Sequence, residues 1–215
     1  MLQVKKFTFN PFQENTYVLF DDTKECVIID PGCYTPEEKA ELFGFIKAEG
    51  LKPTLLLNTH CHIDHVLGNQ FVFNSYGLSP HIHPQEEVVL NFAAAAGKMY
   101  GVFLEESPAG ITDLLNDELI HFGDSSLKIL FTPGHSPGSV CFYNAENKIV
   151  IGGDVLFLQS IGRTDLPLGD MDTLMHSIKT QLLTLPDHVI VHAGHGPQTT
   201  IGSERKSNPF LAAYL

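Results

Sequence analysis

Cysteine is scarce in this 215-residue chain. Cys26, Cys33, Cys61 and Cys141 are scattered, and no two of them form a C-x-x-C pair. Such a pattern fits a compartment in which thiols stay reduced. Cys26 and Cys141 are expected to fill strand interiors as small apolar residues. Basic residues are also few, 13 against 25 acidic ones, for a formal charge of −12. That balance speaks against a protein that lives on nucleic acid, where clustered Lys and Arg must displace counterions. An anionic small molecule is still possible, because one local Arg or Lys can hold it within an acidic surface. No uninterrupted apolar run is long enough to span a bilayer. The N-terminal Met1-Leu2-Gln3-Val4-Lys5-Lys6 has no apolar segment behind its charges, so no export signal is expected and the cytoplasm is the expected location. Repeats, low-complexity segments and linkers are lacking too, which makes a single domain over residues 1–215 the simplest expectation. No feature of the sequence sets an oligomeric state.

What is present is an ordinary apolar content of 43%, enough for a substantial core. Val4 to Phe9, Thr16 to Phe20 and Glu25 to Ile29 read as strands separated by turn residues. Thr35-Pro36-Glu37-Glu38 opens a helix with a capping residue, proline in the first turn and acids at the positive dipole end; it should stop at Gly50. A strand over Thr54 to Leu57 follows, then a helix expected to run unbroken from Asp64 to Tyr76. Further helices are expected over Pro84 to Tyr100 and Met171 to Leu183, with a short helical tail from Gly202. Leu127 to Phe131, Val140 to Tyr143, Lys148 to Ile151 and His188 to Val191 read as strands. Phe92, Met99, Tyr100 and Phe103 form an apolar stretch that could roof a site, with core packing the expected role for most of it.

Four of the apolar strands are each followed within a few residues by His or Asp. After Leu55–Leu57 comes His60-Cys61-His62-Ile63-Asp64-His65. After Ile129–Phe131 comes His135, within Thr132-Pro133-Gly134-His135-Ser136-Pro137-Gly138. After Ile149–Ile151 comes Asp154, and after Val189–Val191 comes His195 among glycines. If all four strand ends lie at one edge, the seven groups converge on rigid scaffolding. Imidazole nitrogen and carboxylate oxygen together suit zinc, iron or manganese, and seven donors exceed what one tetrahedral ion takes.

His60 and His62 are two apart, so on extended backbone they leave one face while Cys61 points the other way, into packing. Asp64 and His65 fall in the first turn of the next helix, where positive potential favours a carboxylate and a neutral imidazole. A carboxylate such as Asp154 can bridge two cations, one per oxygen. For the last ligand His195 is favoured over His192, because it sits at the strand exit. His81, His83, His121, His176 and His188 are expected to be structural or exposed.

The H-x-H-x-D-H run, with single His, Asp and His following at these distances, resembles the metallo-β-lactamase superfamily, and the likeness covers nearly the whole chain, including Ile29-Asp30-Pro31-Gly32. Asn58-Thr59-His60-Cys61-His62, Gly162-Arg163-Thr164-Asp165 and Gly194-His195-Gly196-Pro197-Gln198-Thr199-Thr200-Ile201-Gly202, with Glu204 and Asn208-Pro209-Phe210, look like the glyoxalase II (hydroxyacylglutathione hydrolase) branch, in its short single-domain bacterial form. The resemblance implies an α/β fold, a four-layer αββα metallo-β-lactamase sandwich. It implies two divalent ions, zinc foremost with iron or manganese as alternatives. His60, His62 and His135 would hold the first ion, Asp64, His65 and His195 the second, with Asp154 as the bridge. Asp64 and Asp154 would be the catalytic carboxylates, and hydroxide would attack a small-molecule thioester such as a hydroxyacylglutathione. A thiol leaves readily as thiolate, its pKa being about 8.5, so no dedicated proton donor is needed. Arg163 would either bind a substrate carboxylate or brace the loop after Asp154.

Full-length glyoxalase II enzymes carry a C-terminal helical domain that supplies much of the glutathione-binding surface. Here little sequence follows the last ligand loop, so the thiol portion of the substrate stays open. The nearest alternative is a persulfide dioxygenase, with one iron at His60, His135 and Asp154; glycine-flanked His195 favours two metals. A metallo-hydrolase of another ester or amide is a further alternative. An exported β-lactamase, a nuclease and a non-enzymatic binding module fit the sequence less well.

Overall fold

Alternating apolar residues and tight turns at the N-terminus build three antiparallel strands, β1 (Gln3–Phe9), β2 (Glu14–Phe20) and β3 (Glu25–Ile29). A computed structural model of the chain describes residues 1–105, 107–108 and 112–212. These divide into two compact units, Met1–Leu114 with Ile120–Ser126, and Leu115–Leu119 with Leu127–Leu215.

In the first unit the sheet continues through β4 (Lys52–Leu57), β5 (Pro80–Ile82) and β6 (Thr112–Asp113), in the order β1-β2-β3-β4-β5-β6. From β3 onward the neighbours are parallel, so β3, β4 and β5 end at the same edge. Helix α1 (Pro36–Ala48) has the expected start: Thr35 Oγ1 accepts from Glu38 N–H, and Glu38 Oε2 accepts from Thr35 N–H. Such a cap contributes about 1 kcal/mol. It packs Leu42 and Ile46 on Phe7, Val18, Ile28 and Leu56.

The helix expected over 64–76 is two helices, α2 (Ile63–Val66) and α3 (Asn69–Tyr76). The reason is Gly68, whose N–H donates to Pro31 O at 2.7 Å and where a Cβ would lie 2.6 Å from Cys33 Sγ. Close approach of two backbones outweighs helix continuity there.

Helix α4 (Glu87–Tyr100), preceded by a 3₁₀ turn over Pro84–Glu86, buries Ala93 and Gly97. Because its inner face is made of small residues, the large ones are left outside: Phe92, Met99, Tyr100 and Phe103 are all exposed, which corrects the expectation of core packing. Residues 106 and 109–111 of the stretch that follows, and 213–215 of the tail, lie outside the described residues.

Strand β7 (Leu119–Phe122) was not legible in the sequence. Residues 120–126 belong to the first unit, where buried Asp21 accepts from the N–H of Asp124 (2.9 Å) and the hydroxyl of Ser125 (2.8 Å).

The second sheet has the order β14-β13-β10-β9-β8-β7. Its strands are β8 (Ser125–Phe131), β9 (Val140–Asn144), β10 (Ile149–Gly153), β13 (Ile190–Ala193) and β14 (Thr199–Thr200), with β11 (Leu156–Phe157) and β12 (Ser160–Ile161) forming a separate hairpin. β9 is antiparallel to both β8 and β10, and β10 is parallel to β13. β8, β10 and β13 therefore all end at one edge.

Helix α5 (Met171–Ser177) passes into a π turn over Ile178–Leu182, closed by Leu183 N–H donating to Ile178 O at 2.8 Å, so the expected helix to Leu183 is not uniformly α. It packs Leu174, Ile178 and Leu182 on Val150, Val189 and Val191 beside α6 (Ile201–Ser207). Among the described residues no helix is long and apolar enough to cross a membrane.

Candidate metal centre

In the first unit the chain leaves β4 through Asn58 and Thr59 and delivers four proposed ligands in six residues. Asp30, at the end of neighbouring β3, turns with φ 49° and is 1% exposed. Its Oδ1 accepts from Thr59 N–H at 2.7 Å and its Oδ2 from the Thr59 hydroxyl at 2.6 Å. With that proton committed, Thr59 Oγ1 accepts from His60 Nδ1, 3.1 Å away. Asp30 Oδ2 also lies 3.1 Å from His65 Nδ1. One buried carboxylate thus sets the tautomer of two imidazoles, and both keep Nε2 as the lone-pair nitrogen that a metal takes.

His65 Nε2 is 3.7 Å from Asp64 Oδ2. The rings of His60 and His62 are 4.8 Å apart and nearly perpendicular, and those of His60 and His65 are 4.1 Å apart. The first unit therefore brings its four predicted ligands together. The backbone is held from behind: Asn58 Nδ2 donates to His65 O, and Asn10 Nδ2 donates to Asp64 O, both at 3.0 Å.

Cys61 is fully buried in an apolar cluster with Ile63, Val66, Leu67 and Ile82, as expected for the residue that faces away. Burial pushes its thiol well up, and the neighbouring charges of Glu86 and Asp30 add to this. Glu14 is buried beside this group, with Oε1 4.0 Å from His65 Nδ1. Burial pushes its carboxyl well up, against the opposing pull of His65.

In the second unit the loops after β8, β10 and β13 supply the other three. His135 Nδ1 donates to Arg163 O at 2.7 Å, leaving Nε2 3.6 Å from Asp154 Oδ2. His195 Nε2 is 3.5 Å from the same carboxylate oxygen. The His135 loop is pinned by Asp170 N–H donating to Gly134 O (2.8 Å) and by the Ser177 hydroxyl donating to Pro133 O (2.7 Å). Gly194 N–H donates to Gly153 O at 2.8 Å, tying the last ligand loop to the Asp154 loop. Gly162 has no room for a side chain: a Cβ there would collide with Asp154 O and lie 3.2 Å from His135 Cβ.

His195, rather than strand residue His192, is the histidine at Asp154. The Arg163 guanidinium is bidentate to Asp165 on an exposed surface, with Nε at 2.7 Å and the second bond at 2.8 Å. Its hydrogen bonds hold the Asp165 carboxyl down at about 2. Asp30, Thr59, Glu14, Glu86 and the Arg163 carbonyl surround the ligands without having been identified as site residues. Only Asp30 carried a local signal, as an acid closing an apolar strand before Pro-Gly.

The donors in each unit are imidazole and carboxylate only, with the ring tautomers of His60, His65 and His135 fixed by neighbours, and that set fits divalent ions. Helix-flanked sheets whose strand ends carry such donors define the class: a metal-binding protein of α/β architecture. The chain belongs to the metallo-β-lactamase superfamily, whose family model matches residues 9–195. Hydroxyacylglutathione hydrolase GloC of Haemophilus influenzae is 38% identical over 203 residues, 93% of each chain. Two crystal structures are each 38% identical: BLEG-1 B3 metallo-β-lactamase (TM-score 0.89, 97% of this chain and 99% of that one) and TTHA1623 in a di-iron-bound form (0.88, 97% and 100%). The expected α/β metallo-β-lactamase fold is the one the chain has.

Proposed function

We propose that the four donors of the first unit and the three of the second are halves of one binuclear centre, and that the chain is a thioesterase of glyoxalase II type. His60, His62 and His135 would hold one ion, Asp64, His65 and His195 the other, and Asp154 would bridge. The observation that carries this reading is within the second unit. One oxygen of Asp154 faces Nε2 of His135 at 3.6 Å and Nε2 of His195 at 3.5 Å, one imidazole assigned to each ion. A carboxylate between two such nitrogens can bridge two cations, and the seven imidazole and carboxylate donors in all exceed what one tetrahedral ion takes.

When bound, a metal pair supplies an acidified water and Lewis acidity towards a carbonyl. The chain's own residues orient the donors and balance the charge. Asp30, Thr59 and the Arg163 carbonyl hold protons on the Nδ1 atoms, so that the Nε2 atoms stay basic. Asp64 and Asp154 supply the anionic charge that balances the ions. The Arg163 side chain is a candidate for a substrate carboxylate, by exchange of Asp165, an exposed pair that costs little to break.

Similarity to a hydroxyacylglutathione hydrolase supports a small-molecule S-acyl thiol as substrate; the acidic balance of the sequence speaks against a nucleic acid partner, and we propose no membrane partner. The likeness to a di-iron structure keeps iron beside zinc and manganese as the native metal. Four buried cysteines with no disulfide between them suit a reducing compartment, and we propose that the protein works in the cytoplasm.

Metal analysis joined to a substrate panel tests the reading. Two ions per chain are expected, with one lost in His195→Asn and none in His192→Asn. Thioesters of glutathione, coenzyme A and simple thiols should be hydrolysed faster than a β-lactam. A single iron with oxygen consumption on a persulfide would replace this reading with a dioxygenase, and turnover of β-lactams alone would replace it with a lactamase.

A further inference from the structure

We propose that Glu86 is a positioning residue for the ion held by His60 and His62, an inference that rests on the binuclear reading above. Glu86 is 0% exposed and lies at the junction of the 3₁₀ turn and α4. Its Oε2 accepts from Cys61 N–H at 2.7 Å. That N–H belongs to the one residue between the two ligand histidines. The contact is a product of topology: β4 and β5 are parallel neighbours, so the segments leaving their ends, residues 58–65 and 83–86, emerge side by side. Glu86 N–H donates in turn to His83 O at 2.8 Å, which fixes the turn that presents the carboxylate.

The backbone at Cys61 decides whether His60 and His62 project to one side. Alternation of side chains holds only while that residue stays extended. The Cys61 side chain is anchored in the apolar cluster with Ile63, Val66, Leu67 and Ile82, and its N–H is anchored by Glu86. Rotation of the peptide between the two ligands is thereby blocked from both ends.

Holding an N–H requires only a neutral acceptor, and a buried carboxylate is a costly choice for it. A negative charge behind two imidazoles becomes favourable once a cation sits in front of them. We therefore assign Glu86 two effects on the first ion, backbone geometry and charge. Outer-shell groups of this kind typically alter metal affinity by about 10- to 100-fold.

The test is titration of the metal-free full chain with Zn²⁺ against a competing chelator, and with Co²⁺ monitored by its visible d–d bands. Wild type should bind two ions; one ion or none would sink the binuclear reading whatever Glu86 does. In Glu86→Ala, affinity for one ion should fall by about 10- to 100-fold with altered Co²⁺ bands, while the other ion binds as in wild type. Glu86→Gln keeps an acceptor oxygen without the charge, and should fall between. If both variants bind both ions with wild-type affinity, the proposal is overturned. It is also overturned if both ions weaken equally alongside a matching loss of thermal stability, since that marks a structural role. Should Glu86→Ala fail to fold, Glu86→Gln decides: a weakened first ion supports the assignment and an unchanged one overturns it.

Discussion

His65 Nδ1 lies 3.1 Å from Asp30 Oδ2, and the same carboxylate oxygen takes the Thr59 hydroxyl that orients His60. Asp30 thereby governs two ligand rings from the end of a neighbouring strand. Asp30→Asn would place either a carbonyl or an NH₂ group against His65 Nδ1, and cannot satisfy that ring and both Thr59 donors together. Loss of about 1–3 kcal/mol of stability in the metal-free protein is expected, read by urea denaturation. Metal content after gel filtration should fall as well. Unchanged stability together with full metal content would contradict this account.

Asp21 offers a pH-dependent prediction away from the ligands. Burial pushes its carboxyl up, but bonds from the Thr23 and Ser125 hydroxyls and from the N–H groups of Thr23 and Asp124 outweigh burial and hold it below its ordinary 3.8. A carboxyl lowered in the folded state stabilises above its unfolded pKa and loses that contribution as pH falls through the folded value. Asp21→Asn should therefore be less stable than wild type at pH 7 by about 1–2 kcal/mol. The gap should shrink as the pH is lowered below about 4. Paired urea melts at the two pH values check the sign.

Gly162 is required by space. Adding a methyl there sets Cβ against Asp154 O and His135 Cβ, and backbone cannot move aside as a flexible side chain can. Gly162→Ala should cost about 1–3 kcal/mol and disturb the His135–Asp154 pair. Thermal melts and metal stoichiometry measure the two effects. An alanine variant with wild-type melting and metal content would show that the loop has slack.

Arg163 separates a backbone role from a side-chain role. Its carbonyl orients His135, whereas its guanidinium pairs with Asp165 on an exposed surface. Arg163→Ala keeps the carbonyl, so metal content should be unchanged and stability should move by no more than about 0.5 kcal/mol. If the side chain also serves the substrate, KM for carboxylate-bearing thioesters should rise while neutral ones are unaffected. Loss of metal in this variant would mean that the side chain holds the loop.

The sequence by itself determined the local order of the candidate donors. His60 and His62 alternate with Cys61, Asp64 and His65 follow in one helical turn, and His135, Asp154 and His195 each follow a strand. Those relations depend on neighbours a few residues away, which backbone periodicity fixes. Continuous helices over 64–76 and 171–183 were misread because Gly68 meets Pro31 and Cys33, and because a π turn closes on Ile178. The exposed ring of residues on α4 was misread because periodicity marks an apolar face without saying that Ala93 and Gly97 occupy the inner one.

Tertiary structure alone decided which groups stand behind the ligands. Asp30 reaches His65 across 35 residues, Glu86 reaches Cys61 across 25, and the Arg163 carbonyl reaches His135 across 28. Parallel strand order creates the first two pairings, and the Arg163 contact is made by a backbone atom that every residue type shares. A carboxylate in the sequence has the same composition whether it faces solvent or an imidazole. Only the chain's path through space settles what it touches, and with that the tautomer of a ring beside it and the charge around that ring.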